Sequence, residues 1–183
     1  MLKDPRPGRV KTRLGREIGM VPAAWWVRHQ SARLLRGLDD PRWRLVLAVA
    51  PDTALTSRAW PPHLRRVAQG HGDLGVRMGR LLRTARAGPV LLVGGDIPDL
   101  TEKHIARAFT ALGGHDAVFG PATDGGFWLV GLKHPGAAPA TLFKGVRWST
   151  RHALADSLAT LPDRRIALAD TLSDVDTAAD LRR

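Results

Sequence analysis

The sequence predicts one α/β domain of alternating strands and helices, and three observations predict it. Short apolar runs bounded by turn residues alternate with segments whose apolar residues recur every three to four positions. No repeat period or low-complexity linker breaks the alternation. The length of 183 residues is that of one ordinary domain, so residues 1–183 are expected to share a single core.

The elements follow in order. Met1, Leu2 and Lys3 precede a Pro- and Gly-rich loop, Pro5 to Gly8, that reads as a strand-to-helix connection. A parallel strand normally runs to about five residues, so the sheet is expected to open on a truncated strand. Ala24, Val27, Leu34, Leu35 and Leu38 predict a helix from about Pro22. Arg44 to Ala50 reads as a buried strand stopped by Pro51. Leu74, Met78, Leu81, Leu82 and Ala85 mark a second amphipathic helix, and Pro89 to Val93 an apolar strand. A helix with Thr101 as N-cap carries Ile105, Phe109 and Leu112. Asp116 to Gly120 and Phe127 to Leu132 are strands around a tight turn. A helix from about Ser149 to Leu161, a strand at Arg165 to Leu168 and a short helix from Thr177 complete the chain.

Composition narrows the function. With 44% hydrophobic and 25% charged residues, the chain has enough apolar material to fold, which excludes general disorder. Cysteine is absent and the seven His show no H-E-x-x-H or comparable spacing, so any metal would sit on oxygen ligands. No apolar run approaches the ~18 residues that span a bilayer, and a cytoplasmic protein without a membrane partner is expected. The 23 Arg and 5 Lys outnumber 17 acidic residues, but they are scattered from Arg6 to Arg183, and Tyr is absent. That pattern argues against nucleic-acid binding, which gathers charge on a face and interleaves aromatics. A positive field still favours anionic substrates such as nucleotides and sugar phosphates.

Four segments carry candidate chemistry, each with a plainer reading beside it. Lys3 to Leu14 (KDPRPGRVKTRL) holds five basic side chains hinged by Gly8, suited to a polyphosphate or simply a basic terminus. Asp96, in Gly94 to Asp99 after an apolar strand, suits a hard cation beside phosphates or a loop cap. Asp124-Gly125-Gly126 is first a hairpin signal. Asp174 and Asp176 could complete a cation site, while Thr177 and Asp180 fit a helix cap. Trp148 lines a pocket or anchors the helix that follows. Gly70 to Gly75 is a literal G-x-G-x-x-G with Asp96 placed 21 residues further on, which keeps dinucleotide-dependent redox chemistry as a minor reading. Against it, Arg65 to Gln69 is too short and too charged for the buried first strand of such a unit.

Taken in order, KDPRPGRVKTRL, QGHGDLGVRM (Gln69 to Met78), GGDIPDLT (Gly94 to Thr101), DAVFGPATDGGFWLVGL (Asp116 to Leu132), RWST (Arg147 to Thr150) and DVDT (Asp174 to Thr177) resemble bacterial GT-A-fold glycosyltransferases, some tied to arsenosugar biosynthesis. More distantly the chain is similar to nucleotidyltransferases of the same fold, including 2-phospholactate guanylyltransferase and molybdenum cofactor guanylyltransferase. The resemblance implies a three-layer α/β/α sandwich with a mixed, mostly parallel sheet. It implies a transferase using an activated nucleotide, chiefly a nucleotide sugar, with nucleotidyl transfer and pyrophosphate release as the alternative. Lys11, Arg13 and the loop at Gly8, with Lys3 and Arg6, would face the donor phosphates. Asp96 and Asp176, with Asp174, would ligate Mg²⁺ or Mn²⁺. Asp124, Gly125, Gly126 and Trp148 would face a small-molecule acceptor. A module that binds nucleotide without turnover is the rival from another class.

The family's apolar first strand is mostly missing before Lys3. The natural chain is therefore expected to start upstream of Met1, and an open sheet edge would favour a homodimer. Intact-mass analysis of the protein from its source is expected to return a mass above that of residues 1–183.

Overall fold

The computed structural model describes residues 1–85 and 88–182. It divides into two compact units: Met1–Gly70, Gly95–Thr101 and Asp174–Arg183 form the first, His71–Gly94 and Glu102–Ser173 the second. The α/β class is as the sequence predicts, with the described strands in two sheets, one parallel and one mixed.

In the first unit, strands β1 (Leu2–Lys3), β2 (Val46–Ala50) and β3 (Arg65–Ala68) form a parallel sheet in that order, with Leu2 opposite Val49 and Val49 opposite Ala68. The opening strand is the expected stub. Helix α1 (Thr12–Ile18) meets α2 (Met20–Leu38) at Gly19, whose φ of 98° lets the chain turn between them. The three-to-four spacing of α2 buries Ala23, Ala24, Leu34, Leu35 and Leu38, and Leu35 joins Leu2, Leu47, Val49, Trp60 and Leu64 in one cluster. A second cluster joins Leu14 of α1 to Ala23 and Val175.

Two elements here are not predicted by the sequence reading. Helix α1 is short, and its buried residues are only Leu14 and Gly15, which leaves little period to detect. Arg65 to Ala68 does form a strand. It has one strand neighbour in its sheet, so it needs no continuous apolar run; Arg65 stays exposed. The Arg66 guanidinium is absorbed by the carbonyls of Leu55 (2.6 Å), Ser57 (3.2 Å) and Trp60 (3.1 Å).

In the second unit the strand order is β4 (Val90–Val93), β6 (Phe127–Leu132), β5 (Ala117–Pro121), β7 (Ile166–Leu168). The β4–β6 and β5–β6 pairs are antiparallel and β5–β7 is parallel. Helices α3 (Leu74–Thr84), α4 (Glu102–Gly114) and α5 (Ala153–Ala159) accompany it, and Leu82, Leu112, Phe119 and Leu129 are fully buried. The helix expected from Ser149 begins only at Ala153, because Ser149 has φ 60°, a left-handed conformation a helix cannot contain. The one expected from Thr177 shrinks to a 3₁₀ turn, Asp180–Arg182. The Asp180 carboxylate reaches back to accept from the Asp176 and Thr177 amides and the Thr177 hydroxyl, which is the predicted cap.

Two tight contacts hold the second unit's loops. Gly125 has φ 86°, and a Cβ there would stand 2.4 Å from the Arg151 carbonyl oxygen, while its own carbonyl accepts from Leu154 N at 3.0 Å. Arg147 grips Asp156 by Nε and Nη2, both at 2.8 Å, and its backbone N–H donates to the same carboxylate at 3.0 Å. These bonds hold the Asp156 carboxyl well below the usual carboxylate range.

Gly125→Ala is expected to lower unfolding free energy by about 1–3 kcal/mol, the cost of a residue forced into a sparsely populated backbone region, as read by urea denaturation. Because the Asp156 carboxyl is depressed in the fold, its contribution is full above the ordinary carboxylate pKa of about 4 and is lost as pH falls below it. The protection factor of the Arg147 amide, corrected for intrinsic exchange, is therefore expected to fall on acidification below about pH 4, and in Asp156→Asn it should already be reduced at neutral pH.

Candidate functional site

The first unit gathers Lys11, Arg13, Asp96, Asp174 and Asp176, five residues from three segments of the chain, residues 11–13, 96 and 174–176, each more than 75 residues from the next. Each position has a local cause. After β1, Asp4 N donates to Ala50 O at 2.8 Å, and the loop turns at Gly8, φ 72°, before Lys11. Lys11 precedes α1 with φ 42°, a left-handed backbone rare for a side-chain-bearing residue, while Val10 and Leu14 on either side are buried. Gly95 lets the segment carrying Asp96 come against β1: a Cβ there would overlap the Leu2 side chain. Val175 is turned inward against Leu14 and Ala23, and its N–H donates to Asp96 O at 3.3 Å. Its neighbours Asp174 and Asp176 remain partly exposed on the Lys11 side.

The geometry is that of a cation among carboxylates. Lys11 Nζ lies 2.5 Å from Asp96 Oδ2, 2.6 Å from Asp176 Oδ1 and 3.9 Å from Asp174 Oδ2. Arg13 Nη1 reaches Asp176 Oδ2 at 3.3 Å. Burial works against the Lys11 ammonium, but Asp96 and Asp176 outweigh it and raise its pKa above the ordinary lysine value. One carboxylate oxygen from each of Asp96, Asp174 and Asp176 lies within 4.8 Å of the others. Three hard oxygen donors converging on one point fit Mg²⁺ or Mn²⁺, and no nitrogen or sulfur ligand joins them among the described residues.

The rest of the predicted phosphate loop is ordered around a residue that sequence reading missed. Asp4 is buried, 5% exposed, and its carboxylate accepts from Arg6 Nε at 2.6 Å and Ser57 Oγ at 2.7 Å. Arg6 is thus oriented by Asp4, while Lys3 and Gly8 are exposed. An aspartate in so basic a stretch was the available signal. Its partner Ser57 is 53 residues away and has no sequence mark.

Asp124, Gly125, Gly126 and Trp148 belong to the second unit. The exposed Asp124 accepts from Gly126 N at 2.8 Å, the hairpin role the sequence favours. Trp148 is partly buried, edge-on to Phe127 and Phe143, with ring centroids 6.2 and 5.8 Å away. The G-x-G-x-x-G stretch leads into α3, but the Asp73 side chain accepts from Val76 N at 2.8 Å. A carboxylate therefore occupies the helix terminus that a dinucleotide pyrophosphate would use. Among the described residues no helix is long and apolar enough to cross a membrane.

Over its full architecture the chain is similar to a protein from Desulfovibrio desulfuricans G20 proposed to be a nucleotide-diphospho-sugar transferase. The two are 33% identical, with TM-score 0.91 over 98% of this chain and 81% of that one. It shares a fold with the 4-diphosphocytidyl-2C-methyl-D-erythritol synthase of Anaerococcus prevotii DSM 20548, at 12% identity and TM-score 0.59 over 85% of each chain. No curated protein matches the sequence significantly. Residues 34–150 match the family described as "uncharacterized protein conserved in bacteria (DUF2064)". With that match over most of its length and a transferase-like relative covering nearly all of it, the chain belongs to the DUF2064 family and has the nucleotide-diphospho-sugar transferase fold.

Proposed function

We propose that the protein is a metal-dependent transferase that moves a sugar from a nucleotide-sugar donor to a small-molecule acceptor, working as one domain in the cytoplasm. The single observation that carries the reading is the convergence of Asp96, Asp174 and Asp176 on Lys11, beside a loop rich in cations. The D. desulfuricans relative supports the donor class.

In this reading Asp96, Asp174 and Asp176 hold Mg²⁺ or Mn²⁺, which when bound neutralises charge on the donor phosphates. Lys11 and Arg13 bind the same phosphates, Lys11 as a point charge and Arg13 as a fork. Asp4 keeps Arg6 turned for a further phosphate contact, and Gly8 lets the loop bend round the diphosphate. When the acceptor hydroxyl attacks the anomeric carbon, the bond to the diphosphate oxygen breaks and negative charge grows on the leaving nucleoside diphosphate. Lys11 and Arg13 stabilise that charge more strongly than the charge of the intact donor, and this difference lowers the barrier. Asp124, Gly125, Gly126 and Trp148 are assigned to the acceptor.

A thermal-shift panel of nucleotide sugars and nucleoside triphosphates, each with and without Mn²⁺, is expected to show metal-dependent stabilisation by nucleotide sugars of one base. Stabilisation by triphosphates, with pyrophosphate released on turnover, would replace sugar transfer by nucleotidyl transfer. Stabilisation by NAD or NADP alone would sink the transferase reading. Lys11→Ala is expected to weaken donor binding by about 1.5–3 kcal/mol, the worth of one hydrogen bond to a charged group, in the same titrations. Asp96→Ala is expected to abolish turnover at saturating Mg²⁺ with the circular dichroism spectrum unchanged.

A further inference from the structure

We infer that Lys11 is an internal counter-ion that reserves the acidic trio for a metal and nucleotide arriving together and holds off a free divalent ion. This rests on the reading above and deepens it, since it assigns an order of binding to the same site.

The ammonium is bound by the atoms a metal would need. Lys11 Nζ takes one oxygen of Asp96 at 2.5 Å and one of Asp176 at 2.6 Å, with Asp174 at 3.9 Å, and its side chain is only 12% exposed. A divalent ion bonds oxygen at about 2.0–2.1 Å, so one held by the same three carboxylates would lie close to the ammonium. Two cations held by the same three carboxylates repel each other, and the largely buried Lys11 side chain leaves that repulsion less screened than at an open surface. A free ion must therefore push the ammonium off its carboxylates with only solvent to receive it.

A nucleotide changes that balance, because its phosphate oxygens accept a lysine as a point charge. The left-handed backbone of Lys11, φ 42°, and the buried Val10 and Leu14 fix where the side chain starts, so the charge moves by rotation of its four-carbon stem. Arg13 does not replace it, since its nearest contact is 3.3 Å from Asp176 and its side chain is 71% exposed. The coupling is reciprocal: metal and nucleotide each tighten the other through the position of one ammonium.

The test is titration of the full chain with Mn²⁺ alone, free Mn²⁺ being read by electron paramagnetic resonance, for wild type, Lys11→Met, Lys11→Arg and Asp96→Asn. Lys11→Met is expected to bind Mn²⁺ about 10- to 100-fold tighter than wild type, the range over which outer partners change metal affinity. Lys11→Arg, which keeps the charge, should stay close to wild type. Lys11→Gln gives the same comparison should Lys11→Met fail to fold by circular dichroism. If wild type binds Mn²⁺, Asp96→Asn abolishes it, and the neutral Lys11 variants bind no tighter, the counter-ion role is overturned while the metal site stands. If neither wild type nor the neutral variants bind Mn²⁺, the metal reading itself is overturned and this inference with it.

Discussion

Burial of Val175 against Leu14 and Ala23 is the constraint on which the acidic site depends. Taking such a side chain out of water is worth about 1.5–3 kcal/mol, and the contact ties α1 to the 174–176 segment. The carboxylates on either side of Val175 are left facing Lys11. Two such charges about 4 Å apart repel by about 1 kcal/mol in water and about 4 kcal/mol at a partly screened protein surface. Apolar burial and the Lys11 ammonium together are of the size needed to hold three of them in place.

Close backbone approach and a buried polar relay prepare the rest. Gly95 admits the Asp96 segment against Leu2, where any side chain would collide. Asp4, just after β1, ties Arg6 and Ser57 to one carboxylate, so the loop before Lys11 is bonded to the segment after β2. The Arg66 guanidinium braces that same segment through its carbonyls. The cationic loop is therefore held at its base by hydrogen bonds, although its basic tips are exposed.

What sequence could reveal varied with the kind of evidence each residue leaves. Helix α2 was legible because its buried apolar residues, Ala24, Leu34, Leu35 and Leu38 among them, recur at helical spacing, whereas the buried Gln30 and Ser31 left no such mark. Strand β3 was not, because its position needs no apolar run and Arg66 finds carbonyl partners that no local pattern announces. The late start of α5 turns on the backbone of one residue, Ser149. Asp96 and Asp176 could be singled out as candidates from their settings. That they and Asp174 share one site followed only from the family resemblance, and that the Lys11 ammonium lies among them was not foreseen, since Lys11 and Asp176 are 165 residues apart.

The sequence by itself determined the α/β class, the buried faces of the longer helices, the oxygen character of any metal site and the family resemblance. Each of these depends on periodicity, composition or ordered motifs that the chain carries locally. Only the tertiary structure decided how near the three carboxylates come to one another, that Lys11 sits among them, and that Asp4 anchors Arg6 and Ser57. Those facts depend on which distant segments bury their apolar residues together, and charge pairing follows that packing.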